Sequence, residues 1–493
     1  MNAGAFPSKP DRRLDAALGC LMALCITRLW LAPLGSSFWL DETVTAFVVR
    51  HGAGDPSLAV APQVPASMYY WLPRAFEWLF GPSEIFYRLP SVLAMAAALL
   101  VVSRVASRLV DPRAGWFAAF ACLALSGFNY QAADARPYAL GSCLWAVSIF
   151  YLVRWLDSAK WKHALLFVLF AALVWRVHLV FWPFYIIAAL YALIRLLRRE
   201  TPVAPSQAGV VFGLAGLALA PVFIQALALL RDAHAHVIAK PPSLHVFEHA
   251  LRWNVVLILG GGAFILSRVF RWKRGVAPGW PSLSLVLAWW LCPALGLFAF
   301  SWITGSSVFL PRYLSPMLPG VALTGAALAA YFVPAGRWKG LALVLGAGVF
   351  LFMGQWGRLW PPHEGSDWRG AVRLVNARVL DSRTPVICPS PFVEARPPEW
   401  RPDYKLPGFL YSHLDYYPVK GRTLLLPFET SPEAERYAIA MSVDALPKSG
   451  RFLLYGWNVS YWQDWFASRP QFQHWTVVRR DFGDVSVVEF NRP

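Results

Sequence analysis

Long apolar runs separated by short connections recur along most of the chain, and they constrain its fold more than any other feature. A helix needs about 20 apolar residues to cross the hydrocarbon core of a bilayer, and by this measure we count about eleven runs. Their approximate centres are residues 24, 100, 123, 147, 169, 186, 220, 259, 292, 323 and 348. Only 15% of the residues are charged and 57% are hydrophobic, whereas soluble domains have about 25% charged residues. The sequence therefore predicts a polytopic α-helical membrane protein.

Basic residues are concentrated in alternate connections, and this asymmetry predicts which side of the membrane each connection faces. The basic groups lie near residues 9–13 (with Lys9), 104–113, 154–162, 195–199, 268–274 and 337–339. If these groups face the cytoplasm, the N-terminus is cytoplasmic, and the long first loop (35–90) lies outside. We expect the first run to be retained as a span, because it is longer than the apolar core of a signal peptide. The net charge of +17 is dispersed among these loops, which excludes the single basic face of a nucleic-acid-binding protein.

The character of the sequence changes after residue 358, which divides the chain into a membrane domain (1–358) and a C-terminal domain (359–493). One predicted helix and four β-prone runs cover about 367–380, 384–389, 423–428, 451–457 and 475–490. The last run carries Gly483 between two valine-rich halves, a pattern typical of a hairpin. These signals predict a soluble α/β domain, which the charge asymmetry places in the periplasm.

Two adjacent carboxylates, Asp41 and Glu42, follow the first apolar run in the aromatic segment FWLDETVTAF (38–47). Charge at a membrane boundary is costly unless it is solvated, paired or used, and acids in apolar surroundings are candidates for proton transfer. The alternative interpretation is a solvated start of the loop. Further along, MYYWLPRAFEWLFG (68–81) is amphipathic and aromatic, which is typical of a helix in the membrane interface. If that helix forms a wall beside Asp41, Tyr69 lines the same site.

Three further polar groups are predicted on the same outer side, at or near membrane depth. They contain Arg88 in FYRLPS (86–91), Asp134, Arg136 and Tyr138 in AADARPYAL (132–140), and Arg312 and Tyr313 in FLPRYLSPMLPG (309–320). Arginine forks hold phosphate through charge-assisted hydrogen bonds, and a carboxylate can accept a proton from an attacking hydroxyl. Acids that face three arginines therefore predict a site for an anionic, lipid-borne substrate.

At these residues the chain resembles the GT-C superfamily of membrane glycosyltransferases. Within it, the chain is similar to bacterial glycosyltransferase family 39, which is related to the protein O-mannosyltransferases and the lipid A aminoarabinose transferase. The shared motifs are DE after the first run, RLPS at the second, the ARPYAL block, the RYL-x-P-x-x-P block and a DWR-type helix start at Asp367. One motif departs from the family, because many relatives carry a His-Pro-Pro-like sequence where this chain has Pro65-Ala66-Ser67.

The resemblance implies a GT-C-like bundle of about eleven transmembrane helices and a division of labour among the conserved motifs of the family. Asp41 would be the general base for an inverting attack on the anomeric carbon, and Glu42 would support the site or position a substrate. The phosphate of the donor would be held by Arg88, Arg136, Arg312 and Tyr313. The lining of the site would include Asp134, Tyr138 and Tyr69. Related enzymes with monophosphate donors are similar in needing no catalytic metal.

The outer connection before the eighth run carries other candidates. His245 and His249 are four residues apart, so one helix face could present both imidazoles to a divalent metal; we favour a mobile loop that covers the donor. Lys240 is a further candidate for phosphate contact, with a plain surface lysine as the alternative. Arg176 and His178, between the fifth and sixth runs, could touch the lipid phosphate, although contact with headgroups is favoured.

The sequence therefore predicts an inverting glycosyltransferase that moves a hexose or pentose from a polyprenyl-phosphate donor to a lipid, glycan or protein acceptor. It would act at the periplasmic face of a bacterial inner membrane, without a required cofactor and without a nucleic-acid partner. Two alternatives stay open. A ligase with a polyprenyl-diphosphate glycan donor would need additional cations, and a lipid or glycan transporter would show related halves and paired broken helices, which the sequence lacks.

Overall fold

Helices form most of the chain up to residue 358. The computed structural model describes residues 12–62, 64, 66–236, 240–457 and 459–493, without the side chains of 229–236. Lys9 and Pro65, which contributed to the sequence predictions, lie outside these ranges. The α-helices described before residue 358 are α1 (Arg12–Ile26), α2 (Leu40–His51), α3 (Trp71–Phe80), α4 (Glu84–Leu109), α5 (Gly115–Leu123), α6 (Ser126–Ala132), α7 (Tyr138–Ser158), α8 (Trp161–Val177), α9 (Pro183–Leu197), α10 (Pro205–His236), α11 (Leu244–Ala250), α12 (Trp253–Val269), α13 (Trp280–Thr304), α14 (Leu318–Ala330) and α15 (Trp338–Phe352).

The described helices agree with the positions of the predicted membrane spans. Each of the eleven predicted centres falls within one of them. Among the described residues, seven helical segments are long and apolar enough to cross a membrane, or eight if α11 and α12, which meet at a bend of 41°, form one span. By contrast α5, α8 and α14 are short, with 9, 17 and 13 residues. The structure therefore supports a polytopic membrane protein, while the count of eleven spans stays a prediction.

Small residues allow α14 to pack closely against its neighbours, as is common between helices in membranes. A Cβ atom on Gly320 would lie 2.6 Å from the backbone nitrogen of Trp290 in α13. A Cβ atom on Gly325 would lie 2.6 Å from the Leu259 side chain in α12. A larger residue at either glycine would therefore push α14 away from these neighbours, and the segment that carries Arg312 leads directly into α14.

The first loop (35–90) is folded rather than open. In α2 the side chains from Glu42 to Val49 are all buried. The helix α3 packs against α4 but leaves Trp71 and Trp78 79% and 84% exposed. Indole side chains favour the boundary between lipid and water. The exposed tryptophans therefore agree with the prediction that this segment lies in the membrane interface.

The C-terminal domain contains a five-stranded mixed sheet with helices packed on it. Its strands and helices are β1 (Pro385–Pro389), β2 (Arg422–Leu426), β3 (Arg451–Trp457), β4 (Thr476–Phe482), β5 (Val485–Asn491), α16 (Trp368–Arg378), α17 (Ser412–Tyr416), α18 (Pro432–Val443), α19 (Ala445–Ser449) and α20 (Ser460–Ala467). The order is β2-β1-β3-β5-β4, with β1 parallel to β2 and β3, and β5 antiparallel to β3 and β4. The predicted α/β character is observed, while a periplasmic location stays a prediction.

The first loop and the C-terminal domain share a hydrophobic core that is distinct from the core of the membrane helices. Phe38 from the loop is buried in one cluster with Trp368 and Tyr417. The Tyr417 hydroxyl accepts a hydrogen bond from the Phe38 backbone N–H at 2.9 Å and donates to Glu84 at 3.0 Å. The predicted boundary at residue 359 falls between α15 and α16, yet packing joins the first loop to the C-terminal domain.

Candidate active site

Asp41 lies between two arginines that come from distant parts of the chain. Arg312 Nη1 is 3.0 Å from Asp41 Oδ2, and Arg136 Nη2 is 3.8 Å from the same oxygen. Arg136 also donates through Nη1 to the backbone carbonyl of Asp41 at 3.0 Å. The Asp41 side chain is 20% exposed, so a ligand can reach it. The structure therefore brings together three residues that are far apart along the chain.

The start of α2 positions both acids. Asp41 and Glu42 occupy the first turn of the helix, where free backbone N–H groups and the helix dipole stabilise negative charge. Glu42 accepts a hydrogen bond from the backbone N–H of Trp39 at 3.2 Å, which closes the helix start. Because successive residues of a helix point in different directions, Asp41 faces the arginines while Glu42 is directed into the interior.

Glu42 and Arg88 form a fully buried ion pair. Arg88 Nε donates to Glu42 Oε1 at 2.7 Å. The two Nη atoms of Arg88 donate to Glu42 and to backbone carbonyls that include those of Leu34 and Ser36, at 2.9 and 2.8 Å. The guanidinium is therefore used within the fold, and the structure departs from the prediction that Arg88 holds the phosphate of the donor.

The protonation state of Glu42 follows from this pair. Burial alone would raise the pKa of Glu42, but the charge and hydrogen bonds of Arg88 outweigh burial and lower the pKa. Glu42 is therefore ionised and fully engaged. Of the two predicted catalytic acids, Asp41 is the one that a substrate can reach, whereas Glu42 anchors the first turn of α2.

Asp134 is buried beside Glu42, and two residues that the sequence prediction did not propose as site residues lie next to it. Trp39 Nε1 donates to Asp134 Oδ1 at 3.0 Å, and His363 Nε2 lies 3.8 Å from the same oxygen. Burial raises the pKa of Asp134 above its usual value. His363 belongs to the segment between α15 and α16 and packs on Tyr130 with ring centroids 4.3 Å apart. Its approach depends on the path of that segment, which no sequence motif indicates.

Tyr138 and Tyr313, which the sequence prediction placed at the site, lie together in the structure. Their ring centroids are 5.9 Å apart, and the Arg312 guanidinium lies over the Tyr313 ring at 5.6 Å. His178 packs against both tyrosines, with centroids 5.6 Å from Tyr138 and 5.1 Å from Tyr313. Arg176 is exposed instead. The turn between α8 and α9 therefore contributes His178 to the site.

Two tyrosines from the 3-10 turn before α3 also approach the acids. Tyr69 and Tyr70 are buried, with ring centroids 5.7 Å apart. Burial raises the pKa of both hydroxyls, and the charge of Asp134 adds to the shift at Tyr69, whereas that of Asp41 adds to it at Tyr70. The sequence prediction named Tyr69 alone. Both consecutive residues of this turn are buried, and it is Tyr70, not Tyr69, whose hydroxyl is influenced by the charge of Asp41.

A cavity of about 470 Å³ adjoins the segment that carries Arg312. Its lining is mostly apolar and includes Pro311 and Leu314, which flank Arg312 in the sequence. His245 and His249 line another part of it, with ring centroids 5.0 Å apart. The histidine-bearing segment is therefore next to an apolar space that reaches the arginine segment.

The residues that could hold a metal ion do not fit one well. Glu42, Asp134 and His363 each place one ligand atom within 4.8 Å of the others. Both oxygens of Glu42, however, already accept hydrogen bonds from Arg88, and Oε1 also accepts one from the Ala135 backbone N–H at 2.8 Å. A cation would also lie next to the guanidinium of Arg88, so this group favours an ion pair over a metal.

The remaining two candidates stay predictions. Within the described residues, no third His, Cys, Asp or Glu side chain lies close enough to His245 and His249 to complete a three-ligand metal site. Lys240 is exposed and makes no hydrogen bond or ion pair to the described residues of the site. It follows directly after residues 237–239, which lie outside the described ranges.

The fold and the site together define a polytopic membrane protein with an arginine-flanked acid at one rim of its helices. A protein family described as dolichyl-phosphate-mannose-protein mannosyltransferase matches residues 64–225. The chain is similar to the crystal structure of ArnT from Cupriavidus metallidurans in the apo state, with a TM-score of 0.59 and 14% identity over 97% of this chain and 98% of that chain. No curated protein matched the sequence.

A second crystal structure of ArnT from Cupriavidus metallidurans, bound to undecaprenyl phosphate, is also similar. The match covers 96% of this chain and 98% of that chain, with a TM-score of 0.53 and 11% identity. At such low identity the likeness shows the fold, and it extends across both the membrane domain and the C-terminal domain. The family match over residues 64–225 and the shared fold agree with the resemblance to membrane glycosyltransferases of the GT-C type.

Proposed function

We propose that the chain is an inverting glycosyltransferase that moves a hexose or pentose from a polyprenyl-phosphate donor to a lipid, glycan or protein acceptor. It acts at the periplasmic face of a bacterial inner membrane, with the N-terminus in the cytoplasm and the C-terminal domain in the periplasm. The position of Asp41 between Arg136 and Arg312 is the observation that carries this proposal. A base beside two phosphate-binding cations supplies both groups that the reaction needs.

Arg136 and Arg312 retain donors that suit a phosphate group. The Nε atoms of both are buried and lack a hydrogen-bond partner among the residues described. Burial alone would lower the pKa of each guanidinium, but the charge of Asp41 outweighs burial and raises it, so both stay cationic. Guanidinium groups bind phosphate oxygens through charge-assisted hydrogen bonds. Their fixed charge also stabilises the negative charge that develops as the phosphate leaves.

The Asp41 carboxylate and the phosphate compete for the same arginines. Arg312 and Arg136 now contact Asp41 Oδ2 at 3.0 and 3.8 Å. A phosphate that engages these guanidinium donors leaves the carboxylate oxygen free to meet the hydroxyl of the acceptor. The hydroxyl of the acceptor then gives its proton to Asp41, and its oxygen forms a bond to the anomeric carbon. The bond from that carbon to the phosphate oxygen breaks at the same time, and polyprenyl phosphate leaves with the bonding electrons.

The cavity next to the arginine segment suits the first part of a polyprenyl chain. Its apolar lining would remove isoprene units from water, and Pro311 and Leu314 border it on both sides of Arg312. A phosphate held by Arg312 would therefore have its lipid chain beside this space. ArnT from Cupriavidus metallidurans, which shares the fold, was crystallised with undecaprenyl phosphate, and that agrees with a polyprenyl-phosphate donor.

The test is the substitution of Asp41 by Asn, which removes the base and keeps the size of the side chain. We expect transfer to fall by about 10²- to 10⁴-fold, the range for loss of a general base, while membrane insertion persists. Mass spectrometry of envelope lipids and proteins, with and without the chain, reveals the transferred sugar as a mass difference. The same measurement then compares the variant with the native chain.

Asp55→Asn is the matched control because Asp55 lies in the same loop and caps a short turn through Ser57, a role that asparagine also performs. We expect Asp55→Asn to keep full transfer. Undiminished transfer by the Asp41 variant would remove Asp41 as the base, and the absence of any sugar mass difference for the native chain would contradict the proposed function as a whole.

A further inference from the structure

We propose that His178 is an uncharged hydrogen-bond donor to the phosphate of the lipid, acting beside Arg136 and Arg312. This inference rests on the proposed function and adds to it a residue that decides how tightly the leaving group is held. The residues around its ring, the hydrogen bond at Nδ1 and the nearby charges each support it.

Aromatic side chains hold the imidazole of His178 in place. Its ring centroid is 5.6 Å from that of Tyr138, 5.1 Å from Tyr313 and 5.5 Å from Phe181. Tyr138 opens α7 directly after the segment of Arg136, and Tyr313 follows Arg312 in the chain. The two tyrosines that fix the ring are therefore the neighbours of the two arginines that flank Asp41.

The hydrogen bond at Nδ1 decides which nitrogen carries the proton. Nδ1 of His178 accepts a hydrogen bond from the backbone N–H of Val180 at 3.3 Å. A neutral imidazole that accepts at Nδ1 carries its hydrogen on Nε2. His178 is half-buried, and the hydrogen bond of its ring to the described part of the chain is made at Nδ1, so Nε2 is open to a ligand. His178 thus presents one N–H donor to the site.

The surrounding charges keep this imidazole neutral. Burial lowers the pKa of His178 to about 3, and the charges of Arg136 and Arg312 act in the same direction. The ring therefore donates one hydrogen bond at physiological pH without adding a third positive charge. A neutral donor helps to hold a phosphate, yet it binds the product less strongly than a further cation would.

Binding of undecaprenyl phosphate to the purified full-length chain tests this proposal without knowledge of the sugar. His178→Phe keeps a ring against Tyr138 and Tyr313 but removes the donor, and we expect binding to weaken about tenfold, as for loss of one hydrogen bond to a charged group. His178→Gln removes the ring but returns an amide N–H near the position of Nε2. We expect it to bind within about threefold of the native chain.

His163→Phe is the matched control. His163 also packs on a tyrosine, with its centroid 6.3 Å from that of Tyr151. It lies at the other end of α7 and α8, in the first turn of α8, where its Nδ1 is 2.9 Å from the Ser158 hydroxyl. We expect its binding of undecaprenyl phosphate to equal that of the native chain. Undecaprenol, which lacks the phosphate, should bind the native chain and His178→Phe equally.

A second measurement uses the native chain and does not depend on how the variants fold. In chain labelled with ¹⁵N-histidine, we expect undecaprenyl phosphate, but not undecaprenol, to shift the Nε2–H resonance of His178, as read by NMR in detergent. An Nε2 resonance that the phosphate lipid leaves unchanged, or native-like binding by His178→Phe, would overturn the role of His178 alone. If the native chain fails to bind undecaprenyl phosphate, the proposed function itself is contradicted.

Discussion

Glu42 contributes to the stability of this fold as an anion rather than to the reaction as a proton acceptor. Its carboxylate is buried against Arg88 and receives backbone N–H groups from Trp39 and Ala135. We predict that Glu42→Gln lowers the free energy of unfolding by about 3–5 kcal/mol, because the substitution leaves a buried guanidinium without its counter-charge. Thermal unfolding of the purified protein in detergent measures this loss.

An exposed pair provides the comparison. Asp444 and Lys448 are joined by an ion pair on the surface of the C-terminal domain, and exposed pairs contribute little to stability. Asp444→Asn should leave the unfolding temperature almost unchanged. If Glu42→Gln were equally harmless, the pair of Glu42 with Arg88 would not be the anchor of α2.

At the scale of single residues, the sequence predicted which charged groups gather but not what each one does. Asp41, Arg136 and Arg312 were found from their places at the ends of apolar runs. Arg88 also lies at the end of an apolar run, yet its side chain is directed inward and is paired with Glu42. His178 could not be separated from Arg176 by sequence, because only the packing of a ring between tyrosines distinguishes them.

At the scale of elements, the hairpin of β4 and β5 depends on one glycine. Gly483 has φ of +69°, and a Cβ atom there would lie 1.4 Å from the carbonyl oxygen of Gly365. We predict that Gly483→Ala destabilises the C-terminal domain by well over about 1 kcal/mol, since strain in φ and a backbone clash act together. Limited proteolysis of the segment around Gly365, together with thermal unfolding, reports the effect.

Gly450 offers a matched position with φ of +66° and no heavy atom near its absent Cβ. Gly450→Ala should therefore show only the conformational cost, about 1 kcal/mol. Equal losses for the two variants would mean that the close approach of Gly365 contributes nothing.

The strands were predictable because their valine-rich and leucine-rich runs are bounded by turn residues, and all four β-prone runs contain strands. The folding of the first loop was less predictable from the sequence. The segment of α2 carries helix-compatible residues, but its burial arises from contact with the C-terminal domain, more than 300 residues away in the sequence. Local patterns hold no information about such a partner.

At the scale of the whole molecule, the C-terminal domain holds the loop that carries the acids. The Tyr417 hydroxyl bonds Phe38 and Glu84. We predict that Tyr417→Phe lowers the free energy of unfolding by about 1–3 kcal/mol, because the buried Phe38 N–H loses its acceptor. Transfer activity should fall with it, and protease cleavage within residues 35–90 should rise.

Tyr461→Phe removes a hydroxyl that makes only a long, exposed contact with Glu435, and it should change neither stability nor cleavage. If Tyr417→Phe left the first loop as resistant to protease as in the native chain, the C-terminal domain would have no part in holding Asp41.

The exposed indoles of Trp71 and Trp78 have a consequence for the height of the reaction above the bilayer. Tyr70, beside Asp41, is followed in the chain by Trp71 at the start of α3. Aromatic rings of this kind settle at the level of lipid headgroups, so their depth also sets the level of Asp41 and the arginines. In the proposed reaction the carboxylate would be level with the phosphate of a membrane-embedded carrier, and a thicker or thinner bilayer would shift that alignment.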